Sequence, residues 1–277
     1  MKKLVAVLSL LALWPAADSP AQLRPPNEAG VGLSHWHTIV RDVEATKKFW
    51  MLFGGTSLKV DGIEVMKFPG VLVFMTPGLP QGGSAQTAAH HVGFAVPSVQ
   101  GMAAKLEAAG VKMTEVGTSP LNGRQVGHLD TPDGLELEIT EAGADPYPPL
   151  PPNVSIESNH IHFRLSESAR REAQGWYART FGGKPGQLGN NLTVDIPGVK
   201  FFRFATRDAK PAPTKGRALD HLGFEVKNLE AFCKKLEANG VKFAAPYSKT
   251  RHPSFASAEL TDPWGVSIEL TEGLNRF

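Results

Sequence analysis

The stretch His91-Val92-Gly93-Phe94-Ala95-Val96 returns 130 positions later as His221-Leu222-Gly223-Phe224-Glu225-Val226. Between residues 91–113 and 221–243, 11 of 23 positions are identical, including Lys105-Leu106-Glu107-Ala108 against Lys235-Leu236-Glu237-Ala238. A second pair, Ser34-His35-Trp36-His37 and Asn159-His160-Ile161-His162, leads in each case to an aromatic segment ending Phe-Gly-Gly, at Phe53 to Gly55 and Phe181 to Gly183. The second half of the chain therefore repeats the first. Each half also divides in two. A short alternating strand runs into a helical pattern (Val99, Met102, Leu106, Ala109; Leu229, Phe232, Cys233, Leu236) that Gly110 or Gly240 closes. Short strands follow, such as Gly62 to Phe68 and Val71 to Met75. The expectation is an α+β fold: two domains, 31–142 and 156–273, each a pair of βαβββ modules. Residues 143–155, with Asp145-Pro146-Tyr147-Pro148-Pro149-Leu150-Pro151-Pro152, read as a stiff extended linker between them.

The chain has 277 residues, 42% hydrophobic and 20% charged, which suits two globular domains. Residues 1–21 read as a signal peptide: Lys2 and Lys3 precede the apolar run Leu4 to Trp14, and Ser19-Pro20-Ala21 offers small residues before Gln22. The run is too short for a permanent anchor. The net charge is +2, and without residues 1–21 it is +1, from 27 basic and 26 acidic side chains. No basic field is present for nucleic acid or anionic lipid. A periplasmic or secreted protein is expected, a monomer or homodimer with no membrane contact after signal cleavage. Cys233 is the only cysteine, which excludes an internal disulfide.

In all four quarters a histidine precedes, by seven residues, a polar or acidic residue near the helix start: His35 and Asp42, His91 and Ser98, His160 and Glu167, His221 and Asn228. Strand alternation places Trp36, Thr38 and Val40 on one face and His35, His37 and Ile39 on the other. It likewise sets His91, Gly93 and Ala95 opposite the apolar Val92, Phe94 and Val96. The histidine face would line an open cup. At each half's end, the turns Thr131-Pro132-Asp133-Gly134 and Asp262-Pro263-Trp264-Gly265 feed the strands Leu135 to Ile139 and Val266 to Leu270. There the apolar residues face the core, so Glu136, Glu138, Ser267 and Glu269 face the cup. A carboxylate buried in such a strand needs a partner. Two imidazoles and one carboxylate leave about half of an octahedral site open, an arrangement suited to Fe(II) or Mn(II), with Zn(II) or Ni(II) as alternatives. His37 and His162 share the ligand face two residues on and are candidate acid–base groups.

The strand–helix–three-strand quarters, the first-strand histidines and the Asp-Pro-x-Gly turn and its Thr-Pro-Asp-Gly counterpart before Glu-bearing strands resemble the vicinal oxygen chelate superfamily. That family includes glyoxalase I, methylmalonyl-CoA epimerase, fosfomycin-resistance transferases, extradiol dioxygenases and non-enzymatic bleomycin-binding proteins. The resemblance covers about residues 31–142 and 156–273 and implies cup-shaped mixed sheets with helices outside. It implies metal ligands at His35, His91 and Glu138 in the first half and at His160, His221 and Glu269 in the second, for up to two ions per chain. Val71 to Met75 and Val199 to Phe204 offer no carboxylate for the fourth ligand common in glyoxalase I. His252 stands where extradiol dioxygenases carry a histidine, but Glu259 replaces the expected tyrosine. Tyr247, Arg251 and His252 cluster before the last strand, and Tyr247 and His252 join His37 and His162 as candidate catalytic groups. The resemblance implies a metal-dependent enzyme on a small molecule that chelates through adjacent oxygens, by isomerase, lyase or ring-cleaving chemistry. A non-catalytic binding protein on the same scaffold is the alternative.

Overall fold

The computed structural model describes residues 23–206 and 210–277; the expected signal peptide lies outside these residues. Module one comprises β1 (Val31–Val40), α1 (Val43–Leu52), β2 (Thr56–Val60), β3 (Ile63–Phe68) and β4 (Val71–Pro77). Module two comprises β5 (Ala89–Val96), α2 (Val99–Ala108), β6 (Glu115–Thr118), β7 (Gln125–Asp130) and β8 (Glu136–Glu141). Module three comprises β9 (Glu157–Leu165), α3 (Glu167–Phe181), β10 (Lys184–Leu188), β11 (Asn191–Ile196) and β12 (Val199–Thr206). Module four comprises β13 (Leu219–Val226), α4 (Leu229–Ala238), β14 (Phe243–Ser248), β15 (Ala256–Thr261) and β16 (Ser267–Glu272). The helices begin where a short polar side chain takes up a free amide, as helix N-termini require. Asp42, Ser98 and Asn228 accept from Ala45, Gly101 and Ala231. In module three the cap is Ser166, and Glu167, the acidic residue expected near the helix start, is the first helical residue. Gly110 and Gly240 follow α2 and α4 with φ of 79° and 83°, a region open to glycine at little cost. Among the described residues no helix is long and apolar enough to cross a membrane.

The modules pair in a nested order. One eight-stranded sheet runs β14-β15-β16-β13-β1-β4-β3-β2, the other β10-β11-β12-β9-β5-β8-β7-β6. Module one thus shares a sheet with module four, through antiparallel β1 and β13, and module two with module three, through antiparallel β5 and β9. This corrects the expectation that each sequence half pairs with itself. Residues 143–155 connect β8 to β9 within one sheet and are not a spacer between two. They are also not simply extended: Gly143 and Ala144 bond back to Tyr147, and Tyr147 is buried. The chain crosses between sheets twice, before β5 and before β13. Those crossings run side by side, with Gln81 N–H donating to Gly216 O at 2.8 Å and Ala218 N–H to Gly82 O at 3.0 Å.

Consecutive modules meet instead through the apolar faces of their sheets and helices. Trp36 of β1 lies edge-on to Phe94 of β5 at 5.4 Å, and Phe181 of α3 stacks on Phe224 of β13 at 4.4 Å. One continuous core takes in Val92, Phe94, Leu135, Leu137, Ile139, Val266, Ile268 and Leu270, the residues that alternation assigns to the apolar face. Cys233 is buried in it. The opposite faces of the two sheets are thereby left to the histidines.

Candidate metal centres

Each of the four strand histidines follows a residue with no partner across the ladder. Leu33 and His35 pair with Phe224 and Gly223, leaving Ser34 as an extra residue; on β13, Asp220 is extra between Leu219 and His221. His90 and Asn159 are the corresponding extra residues in the other sheet. Such a bulge breaks strict alternation and re-aims the side chains around it. Here it brings each preceding side chain to the next imidazole. Ser34 Oγ lies 2.9 Å from His35 Nδ1, Asn159 Oδ1 2.8 Å from His160 Nδ1, Asp220 Oδ1 2.7 Å from His221 Nδ1, and His90 Nδ1 3.0 Å from His91 Nδ1. An engaged Nδ1 fixes the ring and leaves Nε2 as the ligand atom of a neutral imidazole. The sequence carried this signal as a polar residue before each of these four histidines, and alternation concealed it.

Nested pairing regroups the expected ligands. His35, His221 and Glu269 bring ligand atoms within 4.8 Å of one another, and His91, Glu138, His160 and His162 do the same. His35 therefore belongs with the second-half pair His221 and Glu269, and His160 with His91 and Glu138, correcting the sets the resemblance implied. All six expected ligands lie in a centre. In the first, His35 Nε2 is 3.1 Å and His221 Nε2 is 3.5 Å from Glu269 Oε2. In the second, His91 Nε2 is 3.1 Å from Glu138 Oε2, 3.4 Å from His160 Nε2 and 3.0 Å from His162 Nδ1. Donors sharing one ion through bonds of about 2.1 Å sit about 3.0–3.4 Å apart, so these separations suit a common cation.

The other expected groups divide. His252 reaches Glu269 Oε1 at 3.4 Å, its side chain 25% exposed, at the open side of the first centre. His37 lines the same centre, its ring 4.5 Å from that of His221, with Nε2 on Thr76 Oγ1 at 2.7 Å. Tyr247 does not join them: it packs against the core, which lies on the helix side of its sheet. Arg251 is occupied by Ser257 and by the carbonyl of Pro246. On β4, the strand where the resemblance would put a fourth carboxylate, Phe74 stands opposite His37 with its ring 5.0 Å from that of His35. In the second centre, His128 and Glu136 flank the ligands: Glu136 Oε1 lies 3.5 Å from His91 Nδ1 and 3.7 Å from His128 Nδ1. With His90, all nine histidines of the chain line the two centres.

Two features show that a cation fits. The first is space: a Cβ on Gly223 would lie 1.9 Å from His35 Cε1, and one on Gly93 2.2 Å from His160 Cε1, so glycine alone lets each ring lie across the facing strand. The second is an unsatisfied donor set. His221 Nε2 is buried without a hydrogen-bond partner, 3.5 Å from Glu269. Burial pushes the Glu269 carboxyl up, but His221, His252 and His35 together outweigh it and hold the group well below the usual carboxylate range. For His221, burial is outweighed by Asp220 and Glu269, which raise it to about 9. Burial lowers His35 and, further, His37. An ionised, buried carboxylate among imidazoles calls for positive charge, and a proton on His221 supplies it where a cation otherwise would.

Among solved structures the chain is similar to glyoxalase I from Zea mays, with a TM-score of 0.68, 17% identity, and coverage of 89% of this chain and 94% of that one. It is also similar to a putative dioxygenase from Bacillus subtilis, with a TM-score of 0.65, 17% identity, and coverage of 91% and 86%. At such identities the likeness is one of fold. No curated protein sequence matches the chain. Residues 32–139 and 155–270 both match one family, and the chain belongs to the Glyoxalase/Bleomycin resistance protein/Dioxygenase superfamily.

Proposed function

We propose that the protein is an exported, divalent-metal-dependent enzyme acting on a small molecule that presents two adjacent oxygens. The observation that carries this reading is the first centre's donor set: two imidazoles with anchored Nδ1 atoms whose Nε2 atoms converge on one buried carboxylate, with His221 Nε2 making no hydrogen bond. His35, His221 and Glu269 would hold one ion, and His91, His160 and Glu138 another. When bound, a divalent ion supplies Lewis acidity to ligand oxygens. The chain's own groups do the rest. Asp220 keeps His221 oriented, and is itself held by the Gly216 N–H at 2.7 Å and by Lys215 at 3.2 Å. His252, stacked on Phe255 at 4.2 Å and open to solvent on one side, can carry a proton between substrate and water. Phe74 walls the cup with an apolar ring beside the ligands and limits water there. Fe(II) or Mn(II) suits this mixed donor set, with Zn(II) or Ni(II) as alternatives.

The test has two parts. Protein prepared anaerobically and supplied in turn with Fe(II), Mn(II), Ni(II) and Zn(II) should hold two equivalents per chain by mass spectrometry, and Glu138→Ala and Glu269→Ala should each lose one. The loaded protein should then turn over a member of a panel of diketones, catechols and hydroxyacyl thioesters, and Glu269→Ala should not. Tight binding of such a compound that neither substitution changes would show a non-catalytic binding protein instead.

A further inference from the structure

We propose that the two centres are unequal: His162 is a fourth protein ligand in the centre of His91, His160 and Glu138, while Thr76 holds its counterpart His37 out of the other. The proposal rests on both centres binding metal. His37 and His162 occupy equivalent places, two residues beyond His35 and His160 on β1 and β9. Both strands have a parallel neighbour in the same register: His35, His37 and Ile39 face Leu72, Phe74 and Thr76, and His160, His162 and Arg164 face Phe201, Arg203 and Ala205. Thr76 and Ala205 are therefore the same position in the two copies. The Thr76 hydroxyl takes His37 Nε2 at 2.7 Å, and His37 is absent from the group of converging ligand atoms. Ala205 has no hydroxyl to offer. There His162 turns its Nδ1 to 3.0 Å from His91 Nε2 and joins the ligand group. One side chain, threonine or alanine, separates a three-donor centre from a four-donor centre.

The consequence is a division of labour. Sites closed by protein donors hold metal firmly, whereas catalytic sites keep positions open for substrate. The His35, His221 and Glu269 centre keeps those positions and has His252 at its open side. It is the seat of turnover, and the other centre is the tighter binder.

Competition of the full-length chain against a chromophoric chelator for Zn(II) reads both dissociation constants without reference to activity. Wild type should show two equivalents with constants at least about tenfold apart. His162→Ala should weaken the tighter constant by about tenfold or more and leave the weaker one alone, and His37→Ala should leave both within about threefold. Ala205→Thr should also weaken the tighter constant by drawing His162 onto the new hydroxyl, and it decides the matter if His162→Ala does not fold. Equal constants in wild type, or an unchanged tighter constant in Ala205→Thr and in folded His162→Ala, would overturn the proposal. A wild type that takes up no Zn(II), Fe(II), Mn(II) or Ni(II) would instead remove the metal reading beneath it.

Discussion

Whether His35 can reach Glu269 depends on one missing methyl group. A Cβ on Gly223 would stand 1.9–2.4 Å from three atoms of the His35 ring, and one on Gly93 would stand 2.2 Å from two atoms of His160. Overpacking of this kind typically costs about 1–3 kcal/mol and displaces whatever can move. Gly223→Ala should therefore abolish the first centre's metal equivalent and lower the melting temperature while leaving the second centre loaded. Gly93→Ala should do the reverse. Metal analysis alongside thermal unfolding checks both, and full occupancy in either variant would show that the rings do not need that space. Asp220 acts at the same scale. Its carboxylate holds His221 Nδ1, and Asp220→Ala should weaken the first centre about 10–100-fold by chelator competition, with no effect on the second. The convergence of the candidate ligand residues was legible in the sequence, because a fourfold register and an apolar alternation place imidazoles and carboxylates on one face. Ser34, His90, Asn159 and Asp220 were not, because strict alternation assigns them to the opposite face and only a bulge turns them around.

At the scale of elements, the turns before the last strands fasten one module to the next. Asp133 accepts from Arg41 N–H at 3.0 Å and from Thr46 Oγ1 at 3.2 Å, tying the turn before β8 to α1. Asp262 accepts from Tyr177 of α3 at 2.8 Å, as well as from Trp264 N–H at 2.9 Å and Val266 N–H at 2.7 Å. Burial pushes the Asp262 carboxyl up to about 6 from an ordinary 3.8, against the pull of those donors. The folded chain therefore binds this proton more tightly than the unfolded chain, so the contribution favours folding increasingly as pH falls from about 6 toward 3.8. Wild type should gain about 2 kcal/mol relative to Asp262→Asn between pH 7 and pH 4. Urea unfolding of both proteins at several pH values measures this, and parallel curves would refute the raised proton affinity of Asp262. The turns were legible from Asp-Pro-x-Gly and its first-half counterpart. Their second role was not, since Tyr177 lies 85 residues from Asp262 and no local pattern links the two.

At the scale of the whole molecule, four copies of one module can be joined in more than one way. The repeats at His91 and His221 identify the copies, and their helices and strands follow from local pattern. Which copies share a sheet does not. Consecutive and nested pairings bury the same apolar faces and satisfy the same alternation, so residues 31–142 and 156–273 look self-contained when read alone. The choice lies in long-range contacts: β1 beside β13 and β5 beside β9, the crossings at Gln81 to Gly216, and the Trp36–Phe94 and Phe181–Phe224 packing between sheets. The proline-rich segment then becomes part of a site, with Tyr147 stacked beside His160 at 6.3 Å. Each candidate centre consequently draws its residues from both halves of the chain. This sharing is tested most directly by counting metal ions per chain, by mass spectrometry, in two double variants whose fold is verified by circular dichroism. Nested pairing requires that His35→Ala with Glu269→Ala keep one equivalent, because both losses fall in one centre, and that His35→Ala with Glu138→Ala keep none. The reverse result, none in the first variant and one in the second, would contradict it and restore the pairing of consecutive modules.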